Sequence, residues 1–110
     1  MIDWSRVSEL RDEVGEEDFA EVVDLFLEEV EEVIGELPAL PDDQSVMQHL
    51  HFLKGSALSL GFAGFSDRCT QAERACAAGV LTPEELAAVQ DCHAASKALF
   101  LREKDARIAA

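Results

Sequence analysis

Between Phe19 and Leu37 apolar residues recur at three- and four-residue steps: Phe19, Val22, Val23, Phe26, Val30, Val33, Ile34 and Leu37. Glu21, Asp24, Glu28, Glu29, Glu31, Glu32 and Glu36 occupy the surface between them. This period matches the α-helical turn and excludes a strand, whose faces alternate every second residue. A helix with one apolar stripe must bury it against other elements, so this segment alone points toward packed helices. The acids Glu16, Glu17 and Asp18 favour the positive end of the helix dipole, which predicts a helix running from there to about Leu37.

The remaining punctuation predicts four more helices. Ile2 to Val14 carries Val7, Leu10 and Val14 at helical spacing and stops at Gly15, which reads as a short N-terminal lid. Pro38 and Pro41 break the acidic helix, and Asp42 or Asp43 can cap the next one, which runs from Asp43 to Leu60. Gly61 and Gly64 mark a turn, after which Phe65, Cys69, Ala72 and Cys76 form the inner face of a fourth helix. Thr82-Pro83-Glu84-Glu85 opens the last, with Thr82 as cap, Pro83 in the first turn and Glu85 completing a capping box. Its inner face is expected at Leu86, Val89, Cys92, Ser96 and Leu99, with the charged Arg102 to Arg107 tail fraying into solvent. The expected fold is all-α: an antiparallel up-down-up-down four-helix bundle with a short additional N-terminal helix, forming one domain over residues 1–110.

Charge narrows the partners. A net charge of -14 argues against nucleic acid and anionic membrane surfaces, both of which attract basic patches. No basic leader precedes an apolar run at the N-terminus, and no uninterrupted apolar segment approaches the length of a membrane span, so we expect a cytoplasmic protein. Cys69, Cys76 and Cys92 are odd in number and lack the compact spacing of redox or metal sites, and read as reduced thiols. The Met start and the full set of helices lead us to expect a free-standing monomer.

Chemistry concentrates in the third helix. Val46, Leu50, Leu53, Ala57 and Leu60 form its core stripe, and His51 lies about 140° from Val46 on the helical wheel, so its imidazole should project toward solvent. Lys54 and Gly55, three and four residues on, share its side of the helix. An exposed neutral imidazole can attack phosphorus, and an adjacent ammonium can screen the incoming charge. Glycine inside a helix costs about 1 kcal/mol relative to alanine, so Gly55 needs a reason, and clearance for an approaching partner supplies one. Met47 and Leu58 fall beside His51 on the wheel as an apolar docking surface. His49 points about 200° away from His51, so the two cannot share a metal, and reads as a structural or surface residue. His93 reads as a buried histidine satisfied by hydrogen bonding. No metal site is expected.

The run His51-Phe52-Leu53-Lys54-Gly55-Ser56, followed by Leu60-Gly61, resembles the signature of histidine-containing phosphotransfer domains, and the acidic second helix and the Glu73-containing fourth helix are also similar to that family. The resemblance implies that His51 is phosphorylated, that Lys54 screens the phosphoryl group, that Gly55 gives docking clearance, and that Ser56, Leu60 and Gly61 are structural. It also implies partners: response regulator receiver domains and a hybrid or sensor histidine kinase. The chain would have no cofactor of its own, Mg²⁺ being expected on the receiver. Ala57, where a second serine is common, and Phe62, where a small residue often follows Leu-Gly, depart from the pattern. A chain of 110 residues spent on five helices has no room for a nucleotide-binding domain, so the implied function is a phosphoryl carrier, not an enzyme. The alternative is a helical module that docks receivers or kinases without being phosphorylated. A small bundle enzyme or metal carrier would need converging ligands, and no Glu-x-x-His pair occurs.

Overall fold

Asp42 opens the helix that matters most, its carboxylate accepting a hydrogen bond from the Ser45 backbone N–H at 2.8 Å. This is the expected cap, and it satisfies one of the orphan donors of a helix start. A computed structural model describes residues 1–108, and it is helical throughout: α1 (Trp4–Val14), α2 (Phe19–Glu36), a 3-10 turn (Leu37–Ala39), α3 (Asp43–Leu60), α4 (Ala63–Ala77) and α5 (Pro83–Ile108). No strand occurs among the described residues. None of these helices is long and apolar enough to cross a membrane.

The link between α3 and α4 is two residues long, and α3 packs more extensively on α4 than on any other helix. Gly61 makes the turn. Its φ of 91° and ψ of 16° place it in the left-handed region, and the N–H groups of Gly61 and Phe62 both donate to the Ala57 carbonyl, at 2.9 and 2.8 Å. The N-terminal segment clasps this turn: Asp3 N–H donates to the Gly61 carbonyl at 2.7 Å and Gly64 N–H to the Met1 carbonyl at 2.9 Å. His51 and Glu73, equally far in sequence from Phe62, consequently face one another across the antiparallel pair.

The α3 stripe is buried as the sequence predicts, at Val46, Leu50, Leu53, Ala57 and Leu60, and so is that of α4 at Phe65, Cys69, Ala72 and Cys76. Other expectations need correction. Helix α1 starts at Trp4 rather than Ile2, because Asp3 is its cap and accepts from Arg6 N–H. Helix α2 starts at Phe19 rather than Glu16, and Leu37 ends up in the 3-10 turn forced by Pro38. Leu27, omitted from the predicted α2 stripe, is buried, whereas Val22, Phe26 and Val33 are only partly covered. On α5 the buried residues are Val89, His93, Ser96, Phe100 and Ile108; Leu86, Cys92 and Leu99 flank them. Phe100 is drawn inward by aromatic partners, with Trp4 stacked on it at 5.8 Å and Phe62 tilted against it at 5.5 Å. The expected fraying does not occur. Helix α5 continues to Ile108, where Arg107 lies over the Trp4 ring at 5.7 Å and Arg11 donates to the Ile108 carbonyl. Thr82 caps α5 by accepting from Glu85 N–H at 3.2 Å, but the reciprocal half of the capping box is absent, one Glu85 carboxylate oxygen being buried without a partner.

His93 is the second surprise. It is 5% exposed, as expected, but neither ring nitrogen meets a hydrogen-bond partner among the described residues; the ring sits instead against Phe65 at 5.2 Å and Phe62 at 6.2 Å. Burial pushes its pKa below the ordinary histidine value, with Glu31 opposing and Lys97 reinforcing the shift. The unfolded chain therefore binds a proton at His93 that the folded chain refuses. The stability it protects is complete above about pH 6.5 and is lost as pH falls below that, by at most about 1.4 kcal/mol per pH unit. Denaturant melts at about pH 7.5 and about pH 5.5 should show a smaller loss of stability in His93→Leu than in the unmodified protein; equal losses would refute the assignment.

At Gly61 an added Cβ would lie 2.8 Å from the Asp3 carbonyl oxygen and 2.9 Å from Val7 Cγ2. Gly61→Ala combines that clash with a left-handed backbone, so a destabilisation of about 2 kcal/mol or more is expected in the same melts.

Candidate functional site

Because the core stripe of α3 occupies one side of the helix, the opposite side is presented to solvent, and His51 stands there with its side chain 76% exposed. Two neighbours give the ring its chemistry. Lys54, one turn further along α3, places Nζ 3.3 Å from Glu73 Oε1, and Glu73 Oε2 lies 3.8 Å from His51 Nδ1. Glu73 comes from α4 and is only 14% exposed, so its carboxylate sits in the crease between the two helices with its charge partly desolvated. The Lys54–Glu73 contact is an ion pair without hydrogen-bond alignment, since Oε1 is buried and has no aligned donor.

Glu73 was not assigned a role from the sequence, although the sequence contains the signal. It lies as far after Phe62 as His51 lies before it, so an antiparallel α3–α4 pair brings the two together. The thiol of Cys69, one turn before Glu73, is pushed up to about 12, mainly by burial, and contributes no competing charge.

The other predicted residues fall as follows. Gly55 is exposed, and a Cβ built there would meet nothing within 4 Å, so the glycine is not needed for packing. Leu58 is 57% exposed beside it. Met47 is only partly accessible and packs against the core. Phe52, which sequence reasoning left unassigned, is 38% exposed and lines a shallow pocket with Val33, Gln48 and His49, extending the apolar surface toward α2. Ser56 is half-buried, and Leu60 and Gly61 belong to the turn already described. His49 lies apart from His51, bridging two helices: Nδ1 is 3.0 Å from the Ser45 carbonyl and Nε2 is 2.7 Å from Glu36 Oε2 at the end of α2.

The arrangement pairs an exposed ring nitrogen with a cation on one flank, an anion behind it and open space in front. A family model described as Hpt domain matches residues 21–99, which include every residue of this constellation. The chain belongs to the Hpt domain family. No curated protein and no solved structure matches it. Hpt domains are phosphocarrier modules of two-component signalling rather than catalytic kinase domains, and they interact with receiver domains and histidine kinases in phosphorelays. In this Hpt domain the matched segment spans α2 to most of α5 and leaves α1 outside.

Gly55 gives a direct test of the local geometry. With open space around the position, Gly55→Ala gains helix propensity without a clash, and thermal melting should show a stability gain of up to about 1 kcal/mol. A loss would mean that the glycine serves packing.

Proposed function

We propose that this Hpt domain accepts a phosphoryl group on His51 from an aspartyl phosphate of a receiver domain, or from a kinase, and passes it to a response regulator. The observation that supports this most directly is the solvent-exposed imidazole of His51 with Lys54 and Glu73 at its base. Nδ1 is turned toward Glu73, which favours the tautomer carrying its proton there and leaves the Nε2 lone pair as the nucleophile. That lone pair forms the N–P bond as the P–O bond of the acyl phosphate breaks, its electron pair returning to the partner's aspartate. Lys54 lies close enough to exchange its carboxylate for the arriving phosphoryl oxygens. Gly55 lets the rim of the partner's site approach, and Leu58, Phe52 and the accessible part of Met47 supply apolar contact. Mg²⁺ and the phosphorylated aspartate belong to the receiver in this reading, and the carrier acts as a cytoplasmic monomer.

Incubation with radiolabelled phospho-receiver domains should place acid-labile, base-stable label on the unmodified protein and none on His51→Gln. Lys54→Ala should slow transfer at least about tenfold, and melting curves run alongside should show only the smaller loss expected from leaving the Glu73 carboxylate without its ammonium partner. Failure to label the unmodified protein with any cognate receiver would favour a binding module that docks without being phosphorylated.

A further inference from the structure

Glu73 has two partners in this structure. Lys54 Nζ is the nearer at 3.3 Å, and His51 Nδ1 at 3.8 Å is beyond hydrogen-bond range, though the ring is exposed and free to swing toward the carboxylate. When Nε2 attacks phosphorus, the proton on Nδ1 has not moved, so the immediate product is a phosphoimidazolium: a cationic ring bearing a dianionic phosphoryl group. If the Nδ1 proton is then lost, the ring becomes neutral, and breaking its N–P bond must expel an imidazolate. If the proton is kept, the leaving group is neutral imidazole, and the phosphoryl group transfers far more readily.

We propose that Glu73 is the positioning residue that keeps this proton on Nδ1 of phosphorylated His51, holding the carrier in its dischargeable form. The proposal rests on phosphorylation of His51. The geometry supplies an exchange in which no charge is stranded. Lys54 leaves Glu73 for the phosphoryl oxygens, and Glu73, 14% exposed and with no aligned donor on Oε1, takes the Nδ1–H in its place. Discharge then runs as the reverse of loading: a receiver aspartate oxygen attacks phosphorus, the N–P bond breaks with its electrons returning to Nε2, and the ring is left neutral with its proton still on Nδ1. Among the described residues the charged group within ion-pair distance of the ring is Glu73 of α4, and Lys54 of α3 contacts that carboxylate. Cys69 behind them on α4 stays a neutral thiol, and Glu36 at the end of α2 pairs with His49.

The test is a pH profile of discharge. Protein loaded from a phospho-receiver and separated from it would be mixed with fresh receiver over about pH 6 to about pH 9.5, for the unmodified chain, Glu73→Gln and Lys54→Ala. Replacing the carboxylate with a neutral amide removes the anionic partner of the Nδ1 proton, so Glu73→Gln should match the unmodified rate near about pH 6 and be about tenfold slower near about pH 8.5. Lys54→Ala should be slowed by a similar factor at every pH. Parallel profiles for Glu73→Gln and the unmodified chain, whether superimposed or offset by a constant factor, would overturn the proposal and leave Glu73 a purely structural contact. Nitrogen-15 NMR of the unmodified phosphoprotein gives a measurement independent of the variant's folding. A protonated Nδ1 at about pH 8 is expected, and a proton-free Nδ1 there would overturn the proposal. Absence of label on the unmodified chain would instead bring down the assignment of His51, an outcome distinct from either of these.

Discussion

The turn at Gly61 and Phe62 controls the site. A two-residue link lets α3 and α4 lie antiparallel along their lengths, and only that register brings Glu73 beside His51 and Lys54. The turn is over-determined: the left-handed Gly61 ends α3, two N–H groups share the Ala57 carbonyl, and the Met1–Asp3 segment adds two backbone hydrogen bonds from outside. Phe62, immediately after the glycine, buries its ring against Phe100 and His93 and ties the same turn to α5. A shift of one residue in this link would rotate the α4 face by about 100° and carry the Glu73 carboxylate away from the imidazole.

Legibility from sequence followed the strength of the periodic signal. Helix α3, with five stripe residues and a cap at each end, was readable in full, and with it the outward placement of His51, Lys54 and Gly55. Helix α5 was misread where its pattern is weakest. Alanines and charged residues leave several wheel positions nearly equivalent, and the choice of Phe100 and Ile108 over Leu99 and a frayed end is made by α1, through Trp4 and Arg11. That is tertiary selection among locally similar options, which no single-helix pattern contains. The same reason hid Glu73: its importance lies in what faces it across the turn, not in anything on its own helix.

His93 shows what the departure at Phe62 does to the interior. A large ring after Leu60-Gly61 fills the end of the bundle, and together with Phe65 it walls the imidazole with apolar carbon instead of polar partners. An unpaired buried imidazole is tolerable because, unlike a carboxylate or ammonium, it can shed its charge at neutral pH and enter the interior as a neutral ring. The histidines of this chain thus separate by environment: His51 in water, His49 bonded at the α2–α3 seam, and His93 neutral within the core.

The overall charge bears on how such a carrier meets its partner. At -14 the domain repels other anions at a distance, so in the proposed transfer recognition of a phosphoryl group must be local. The surface next to His51 meets that requirement. It offers Leu58 and Phe52 for contact that needs no charge, and its cation Lys54 is paired with Glu73, to be given up in the proposed transfer only when a phosphoryl group competes for it. Holding Lys54 in that way limits what it offers to stray phosphates in solution, because a free anion must displace Glu73 without the help of a docked protein surface. Under the proposed transfer the ion pair at the base of the imidazole would serve selectivity as well as charge balance, releasing the cation chiefly to a phosphoryl group already delivered in line with Nε2.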